Sequence, residues 1–343
     1  MLIIRPIEKT DLDQLYALSA LASAGLTSLP SDREVLQRKI KQSQKSFQDL
    51  PDKPGGEVYL FVAEDKDTKK IVGTCAIYAK VGGFEPFYTY KIKTVTKESK
   101  LLKVKKEIHL LKLIKNHNGP TEVGTLFLAP EYRKSGNGRL LSLSRFLFMA
   151  QYKQCFEKIV IAEMRGVIDK NDRSPFWEAL GKHFFQVEFK NADMMILRDK
   201  SFIADLMPQH PIYVPLLPKE AQDVLGKVHE DSKGALHFLQ QEGFVYNDEI
   251  DIFEAGPLIK ADLDSIRTVK ESKEAVIQSI GENESQGQGG HEHIIANVDA
   301  FQEFHAALGT VKELPQGVGI SSALARDLGV KIGSHIRFAK VKG

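Results

Sequence analysis

"TLFLAPEYRKSGNGRLLSLSRF", residues 125–146, runs from an apolar strand through a proline turn and a basic, glycine-containing loop into an amphipathic helix. The loop carries Arg133 and Lys134, then Gly136 and Gly138 one residue apart, then Arg139 where the helix begins. Unpaired backbone N–H groups at a helix N-terminus, reinforced by the helix dipole, bind phosphate oxygens. Glycine lets the backbone approach the anion and take positive φ, and arginines can add bidentate pairs. The loop is not a P-loop, because no Gly-Lys-Ser/Thr follows. A dinucleotide fingerprint would need a third glycine where Leu141 stands.

Around that stretch the chain reads as an α+β protein. The opening segment suggests a short strand and a helix capped by Thr10 or Asp11, with Leu12, Leu15, Tyr16 and Leu18 inward. A second helix over "SDREVLQRKIKQSQKSFQ" starts at Ser31, with Glu34 completing a capping box. "EVYLFVAED" and "IVGTCAIYAKVG" form an antiparallel hairpin, "EVGTLFLAP" and "FEKIVIAEMRG" are strands, and "SPFWEALGKHFF" is a short helix. Further helices are expected in "KEAQDVLGKVH" and "GALHFLQQEGF", with strands in "VYNDEIDIFEAG". These patterns divide the chain into residues 1–200, an extension over 201–259 and a small β-rich unit over 260–343 with an exposed hairpin tip.

With 343 residues, 42% hydrophobic and 27% charged, the chain has the composition of a soluble globular protein too long for one small core. A net charge of +2 gives no global case for nucleic-acid binding. The positive charge is concentrated in residues 91–115, where nine lysines alternate with apolar residues as in half-exposed strands. Cys75 and Cys155 lie in apolar segments without metal-ligand spacing, and neither a signal peptide nor a membrane span is visible, so a reducing cytoplasm is expected. "HEH" at 291–293 reads as part of a solvated loop, and no metal is expected.

Strand, proline, Arg-x-x-Gly-x-Gly and helix resemble the pyrophosphate-binding element of the GNAT superfamily of acyl-CoA N-acyltransferases. The likeness spans roughly residues 1–200, and the helix running into Glu-Gly-Phe in "GALHFLQQEGF" echoes it, so residues 201–259 read either as a degenerate second unit of the same kind or as an extension with a common helix stop. It implies a mixed, mostly antiparallel sheet flanked by helices. Longer stretches narrow the resemblance: "GGFEPFYTYK" (82–91), "TLFLAPEYRKSGNGRLLSLSRFLFMA" (125–150), "AEMRGVIDKNDRSPFWEALGKHFF" (162–185), "MPQHPIYVPLLPKEAQDVLGKVH" (207–229) and "EGFVYNDEIDIFEAGP" (242–257). Together they resemble the arginine N-succinyltransferases, which transfer succinyl from succinyl-CoA to the α-amine of L-arginine, the first step of an arginine-degrading pathway.

That resemblance implies site residues. The splayed strand supplies the backbone of Leu126, Phe127 and Leu128 to the pantetheine arm, and Arg133, Lys134, Gly136, Asn137, Gly138 and Arg139 surround the pyrophosphate. Many relatives use a tyrosine acid in "Y-x-x-x-G", but "FWEALG" puts Trp177 there, and indole cannot supply the proton. The resemblance implies His229 as proton donor to the departing thiolate. Placed at a helix C-terminus, its cation would be favoured. His117 and His183 read as loop or packing residues. Glu163 and Arg165 share a strand face in "AEMRGVID", close to Asp169, and are expected to touch substrate or to pair with one another. Arg165 is a candidate to read the succinyl carboxylate. Buried cysteines favour direct transfer over an acyl-enzyme. Ornithine or another amine as acceptor, and a non-catalytic CoA-binding subunit, remain alternatives. A homo-oligomer or a hetero-oligomer with a paralogous chain is expected.

Overall fold

Both faces of one hairpin are buried, and helices cover each face. The computed structural model describes residues 1–22, 26–83, 85–197, 199–282 and 293–342. β1 (Leu2–Pro6) leads through a 3-10 turn into α1 (Leu12–Ser19), followed by α2 (Arg33–Ser46), β2 (Val58–Asp65) and β3 (Ile71–Tyr78). Along β2, Tyr59, Phe61 and Ala63 face one core and Leu60 and Val62 the other, as strand alternation requires. Leu15, Leu18, Leu36 and Ile40 of α1 and α2 cover the second face.

Two helix starts differ from expectation. Asp32, not Ser31, caps α2, accepting the N–H groups of Glu34 at 3.0 Å and Val35 at 3.1 Å, so one carboxylate satisfies two orphan donors. Asp11 stands before α1, but its carboxylate is held by Arg5 at 2.8 and 2.9 Å. Tyr16, expected inward, is 40% exposed.

β4 (Phe87–Ser99) and β5 (Val104–Asn116) pair from Phe87↔Asn116 to Ser99↔Val104, turning the lysine-rich region into one long hairpin. Tyr90 and Leu111 are buried at its base, and Lys93, Lys97, Lys105, Lys106 and Lys112 are exposed. β6 (Thr121–Leu128), α3 (Asn137–Gln151) and β7 (Ile159–Glu163) follow. Leu140, Leu143, Phe146, Leu147 and Phe148 of α3 fill the face opposite α1 and α2.

A π-helical turn over Trp177–Gly181 precedes α4 (Lys182–Phe185), α5 (Phe189–Met195) and α6 (Ser201–Leu206). Then come β8 (Ile212–Tyr213), α7 (Lys219–Val224), α8 (Lys233–Gln241), β9 (Val245–Ile250), β10 (Pro257–Asp262) and α9 (Arg267–Glu271). Trp177 is fully buried, stacks on Phe185 and Phe253, and donates its indole N–H to the Val187 carbonyl at 3.0 Å. It is a core residue without a transferable proton. β9 and β10 lie between β7 and β4, inside the main sheet.

The chain ends with β11 (Lys273–Ile280), β12 (His293–Asn297), β13 (Ala306–Gly309), β14 (Lys312–Leu314), β15 (Gly317–Ile320), α10 (Ser322–Leu328) and β16 (His335–Lys340). These strands have their own core around Ile277, Ile295, Leu324 and Ile336, and join the sheet where Ile4 of β1 meets Ala306 of β13. The expected hairpin tip, with His291 and Glu292, lies outside the described residues. Only the β6–β7 and β11–β15 contacts are parallel among the described strand pairs, so the sheet is mostly antiparallel as expected.

Candidate active site

β6 and β7 pair in parallel at Thr121↔Val160 and Glu122↔Ile161, and beyond that point they part. β7 then follows β10, from Ile159↔Asp262 to Glu163↔Leu258. On its other edge β6 carries a bulge: pairing with β3 passes from Ala76↔Gly124 to Thr74↔Phe127. Thr125 at the bulge has φ +52°, a conformation that costs a β-branched residue roughly 1–3 kcal/mol. Its hydroxyl bonds to that of Tyr78 at 3.0 Å, which helps hold it there. On the β7 side, β6 from Val123 to Leu128 has no strand partner among the described residues, which leaves a cleft between the two strands.

The loop that closes this cleft is built for an anion. Ser135 and Gly136 both take positive φ, +55° and +80°, immediately before α3. Among the described residues, the N–H groups of Ser135, Gly136, Gly138 and Arg139 make no hydrogen bond, leaving a concavity of donors at the start of a 15-residue helix. Asn137 closes the loop by donating its side-chain N–H to the Tyr132 carbonyl at 3.0 Å. Arg133 donates Nε to the Leu128 carbonyl at 2.9 Å and lies over the Phe127 ring, so its guanidinium is fixed between strand end and loop. Lys134 is exposed beside it. Arg139 departs from the expectation: its side chain donates to the Val341 carbonyl at 3.2 Å and stacks on Phe238, tying the chain end to α3.

The far wall of the cleft begins at the end of β7. The Arg165 carbonyl accepts the His229 backbone N–H at 2.8 Å, which joins the expected catalytic histidine to this strand. α7 ends at Val224, so His229 does not terminate a helix as anticipated. It instead precedes the 3-10 turn Glu230–Ser232, and its Nδ1 accepts the Asp231 N–H at 3.2 Å. The cation is disfavoured, not favoured: burial, and then Arg165, hold the imidazole below its ordinary pKa. A neutral ring whose Nδ1 accepts a bond carries its proton on Nε2. Asp231 Oδ2 lies 3.7 Å from Nδ1, an anionic partner for the ring when it becomes charged.

Glu163 and Arg165 do not form the ion pair that their alternation allowed. The Arg165 side chain is 8% exposed, with Asp231 at 4.0 Å and Glu254 and Asp193 in its field. Glu163 is exposed at the end of β7, with Glu122, Asp251 and Glu254 in its field. Its pKa is pushed well above the carboxylate range by burial and by the charges of Glu122 and Asp251. Asp169 is turned to Arg173 at 3.0 Å and takes no part in this wall.

Sequence patterning did not single out the rest of the acidic wall. Glu254 and Asp251 lie in the turn between β9 and β10, and burial raises both. Glu254 Oε1 accepts the Gly166 N–H at 2.7 Å, while Oε2 is buried with no partner among the described residues. Burial also raises Glu122 on β6, and it raises Asp193 on α5 to about 6. Asp193 accepts a hydrogen bond from Thr27 in the α1–α2 connection. Lys200 and Lys39 oppose the shift at Glu122. The phrase "NDEIDIFEAG" contained the signal, an acidic run expected only to form strands.

The remaining candidates stand apart from the cleft. His117 and His183 are exposed. Cys75 and Cys155 are free and buried, and burial pushes both thiols up to about 11, which leaves no thiolate for an acyl-enzyme near neutral pH. Among the described residues no group of three His, Cys, Asp or Glu side chains could hold a metal ion, and no helix is long and apolar enough to cross a membrane.

A bulged strand parting from its parallel neighbour, with a donor-lined loop at its end and acids on the opposite wall, defines an acyl-CoA-dependent N-acyltransferase. The family model described as "Arginine N-succinyltransferase beta subunit" matches residues 2–268. An arginine N-succinyltransferase of Escherichia coli O139:H28 is 38% identical over 99% of this chain and 98% of its own. One from Escherichia fergusonii is 45% identical over 80% of this chain and 79% of its own. The solved structure of arginine/ornithine succinyltransferase subunit AI from Pseudomonas aeruginosa superposes with a TM-score of 0.89 at 33% identity, covering 100% of this chain and 99% of that one. The chain belongs to the arginine N-succinyltransferase family.

Proposed function

We propose that the chain transfers succinyl from succinyl-CoA to the α-amine of L-arginine by direct attack. The observation that carries this reading is the set of acids around the parted strands, which an acceptor approaching the thioester would meet: Glu122 on β6 and Glu163 on β7, with Asp251 and Glu254 in the field of Glu163 and Asp193 in that of Glu254. An enclosed set of carboxylates suits a cation of fixed shape such as guanidinium.

In this reading the donor-lined loop takes the CoA pyrophosphate, with Gly136, Asn137 and Gly138 shaping the loop, Arg133 and Lys134 contributing positive charge, and the N–H of Arg139 completing the nest. The backbone of Leu126, Phe127 and Leu128 lies along the pantetheine arm. A donor there aimed at the tetrahedral oxyanion contributes about 2.7–4 kcal/mol. The attacking ammonium must release one proton, and the departing thiolate takes one up. The carboxylates of the wall receive the first and pass a proton on to His229; the imidazolium, with Asp231 beside Nδ1, delivers its Nε2 proton to the thiolate and returns to the neutral ring. A histidine with a depressed pKa hands its proton on readily. Arg165 holds His229 in place through its carbonyl and presents a cation to the acceptor's α-carboxylate. The two unpaired thiols suit a reducing cytoplasm.

Thiol release measured with succinyl-CoA and acetyl-CoA, each against arginine, ornithine and lysine, tests the reading. Turnover highest with succinyl-CoA and arginine supports it, and preference for ornithine would move the acceptor assignment. No release from any combination would favour a non-catalytic CoA-binding subunit.

A further inference from the structure

The acidic wall accounts for a cationic acceptor but leaves the carboxylate of a succinyl group without a receptor. We propose that Lys39 is that receptor and selects a succinyl over a neutral acyl chain; the proposal rests on succinyl-CoA being the donor.

Lys39, half-buried on α2, points to the strand bulge. Its Nζ donates to the Ser28 carbonyl at 2.6 Å and approaches the Tyr78 hydroxyl at 3.5 Å, lying 5.9 Å from the centre of the Tyr78 ring. Tyr78 in turn bonds to Thr125 at 3.0 Å, and Thr125 is the positive-φ residue at which β6 departs from regular pairing. The ammonium is thus two hydrogen bonds from the bulge, where the thioester lies in the proposed pose.

Charge accounting favours the same residue. Among the described residues no carboxylate comes within 4.0 Å of Lys39, and its partners are two neutral oxygens. An ammonium has three donors, so one is left for a ligand; the acid in its field, Glu122, is held above its ordinary pKa by burial and opposes an arriving anion less than an ionised carboxylate would. Arg165 is less suited to this role, since Asp231, Asp193 and Glu254 surround it. Gly124 adds a steric reason. A Cβ there would crowd both the Tyr78 ring and the Glu122 carboxylate, each at 3.3 Å, so glycine keeps a narrow passage beside the bulge from closing.

The test is calorimetric binding of succinyl-CoA and of butyryl-CoA, which has the same chain length without the carboxylate, to the wild type, Lys39→Met and Lys39→Arg. Loss of a charge-assisted bond should weaken succinyl-CoA roughly 10- to 100-fold in Lys39→Met. Butyryl-CoA, which also reports that the variant is folded, should bind unchanged, and Lys39→Arg should retain part of the preference. If the wild type prefers succinyl-CoA and Lys39→Met keeps that preference, or Lys39→Arg loses as much as Lys39→Met, the assignment is overturned. Binding needs no acceptor, so failure to succinylate arginine would strike the acceptor assignment alone. A wild type that binds both thioesters equally would remove the donor assignment together with Lys39.

Discussion

The backbone N–H of His229 donates to the carbonyl of Arg165 at 2.8 Å, joining a residue beyond α7 to the strand end where β6 and β7 have separated. Through this bond the catalytic candidate is placed by the sheet, not by a helix, and its Nδ1 is held by the Asp231 N–H.

His229→Gln should therefore lower kcat by about 10²- to 10⁴-fold, the usual contribution of a positioned acid or base. The dissociation constant of acyl-CoA should be nearly unchanged, because the pyrophosphate loop is elsewhere. Steady-state kinetics with a separate binding measurement decide the matter. A variant with wild-type kcat removes His229 from the mechanism.

Gly166→Ala tests how the wall is assembled. A Cβ at this position would overlap the Glu254 carbonyl, and the Gly166 N–H is bonded to Glu254 Oε1 at 2.7 Å. The wedge should cost about 1–3 kcal/mol and displace the adjacent Arg165 carbonyl from His229. Thermal melting and kcat should fall together, and a variant that keeps both would show that this contact is not needed.

The acidic wall makes a pH prediction with a definite sign. Glu163, Glu254 and Asp193 titrate above their unfolded values, Asp193 at about 6, with burial as the first cause in each. The stability they contribute is present below the unfolded carboxylate range and is lost as pH rises through the folded values. A bound cation offsets that loss. Arginine should raise the melting temperature more near pH 8 than near pH 5, and its binding near pH 6 should release protons. Calorimetry in buffers of different ionisation enthalpy measures the release, and uptake of protons would contradict the account.

Gly136 has φ +80°, so Gly136→Ala strains the anion nest by roughly 1–2 kcal/mol. Binding of acyl-CoA should weaken while binding of an acyl-pantetheine, which has no pyrophosphate, stays the same. Equal weakening of both would place the pyrophosphate elsewhere.

Much of this was readable in residues 125–146, because a buried strand, two glycines and a helix start are local features with local chemistry. The hairpin of β2 and β3, and the lack of a proton donor at Trp177, were equally legible. His229 was found through resemblance, but its environment was misjudged: α7 stops at Val224, and the next residues turn to meet Arg165. Glu122, Asp193 and the pair Asp251 and Glu254 come from three separate segments, and only the β7–β10 pairing and the packing of α5 bring them together. The Arg139 side chain was expected at the phosphate because its actual partners, Val341 and Phe238, are far away in sequence. Lys39 carried no pattern at all beyond a helical lysine.

The central claim is that this cleft joins succinyl to the α-nitrogen of arginine. The most direct measurement is identification, by mass spectrometry and NMR, of the product formed from succinyl-CoA and L-arginine by the wild type and by His229→Gln. The account expects succinyl on the α-nitrogen with the guanidinium unmodified, and formation strongly suppressed in the variant. Succinyl on the guanidinium, or no succinylated arginine at all, would contradict it.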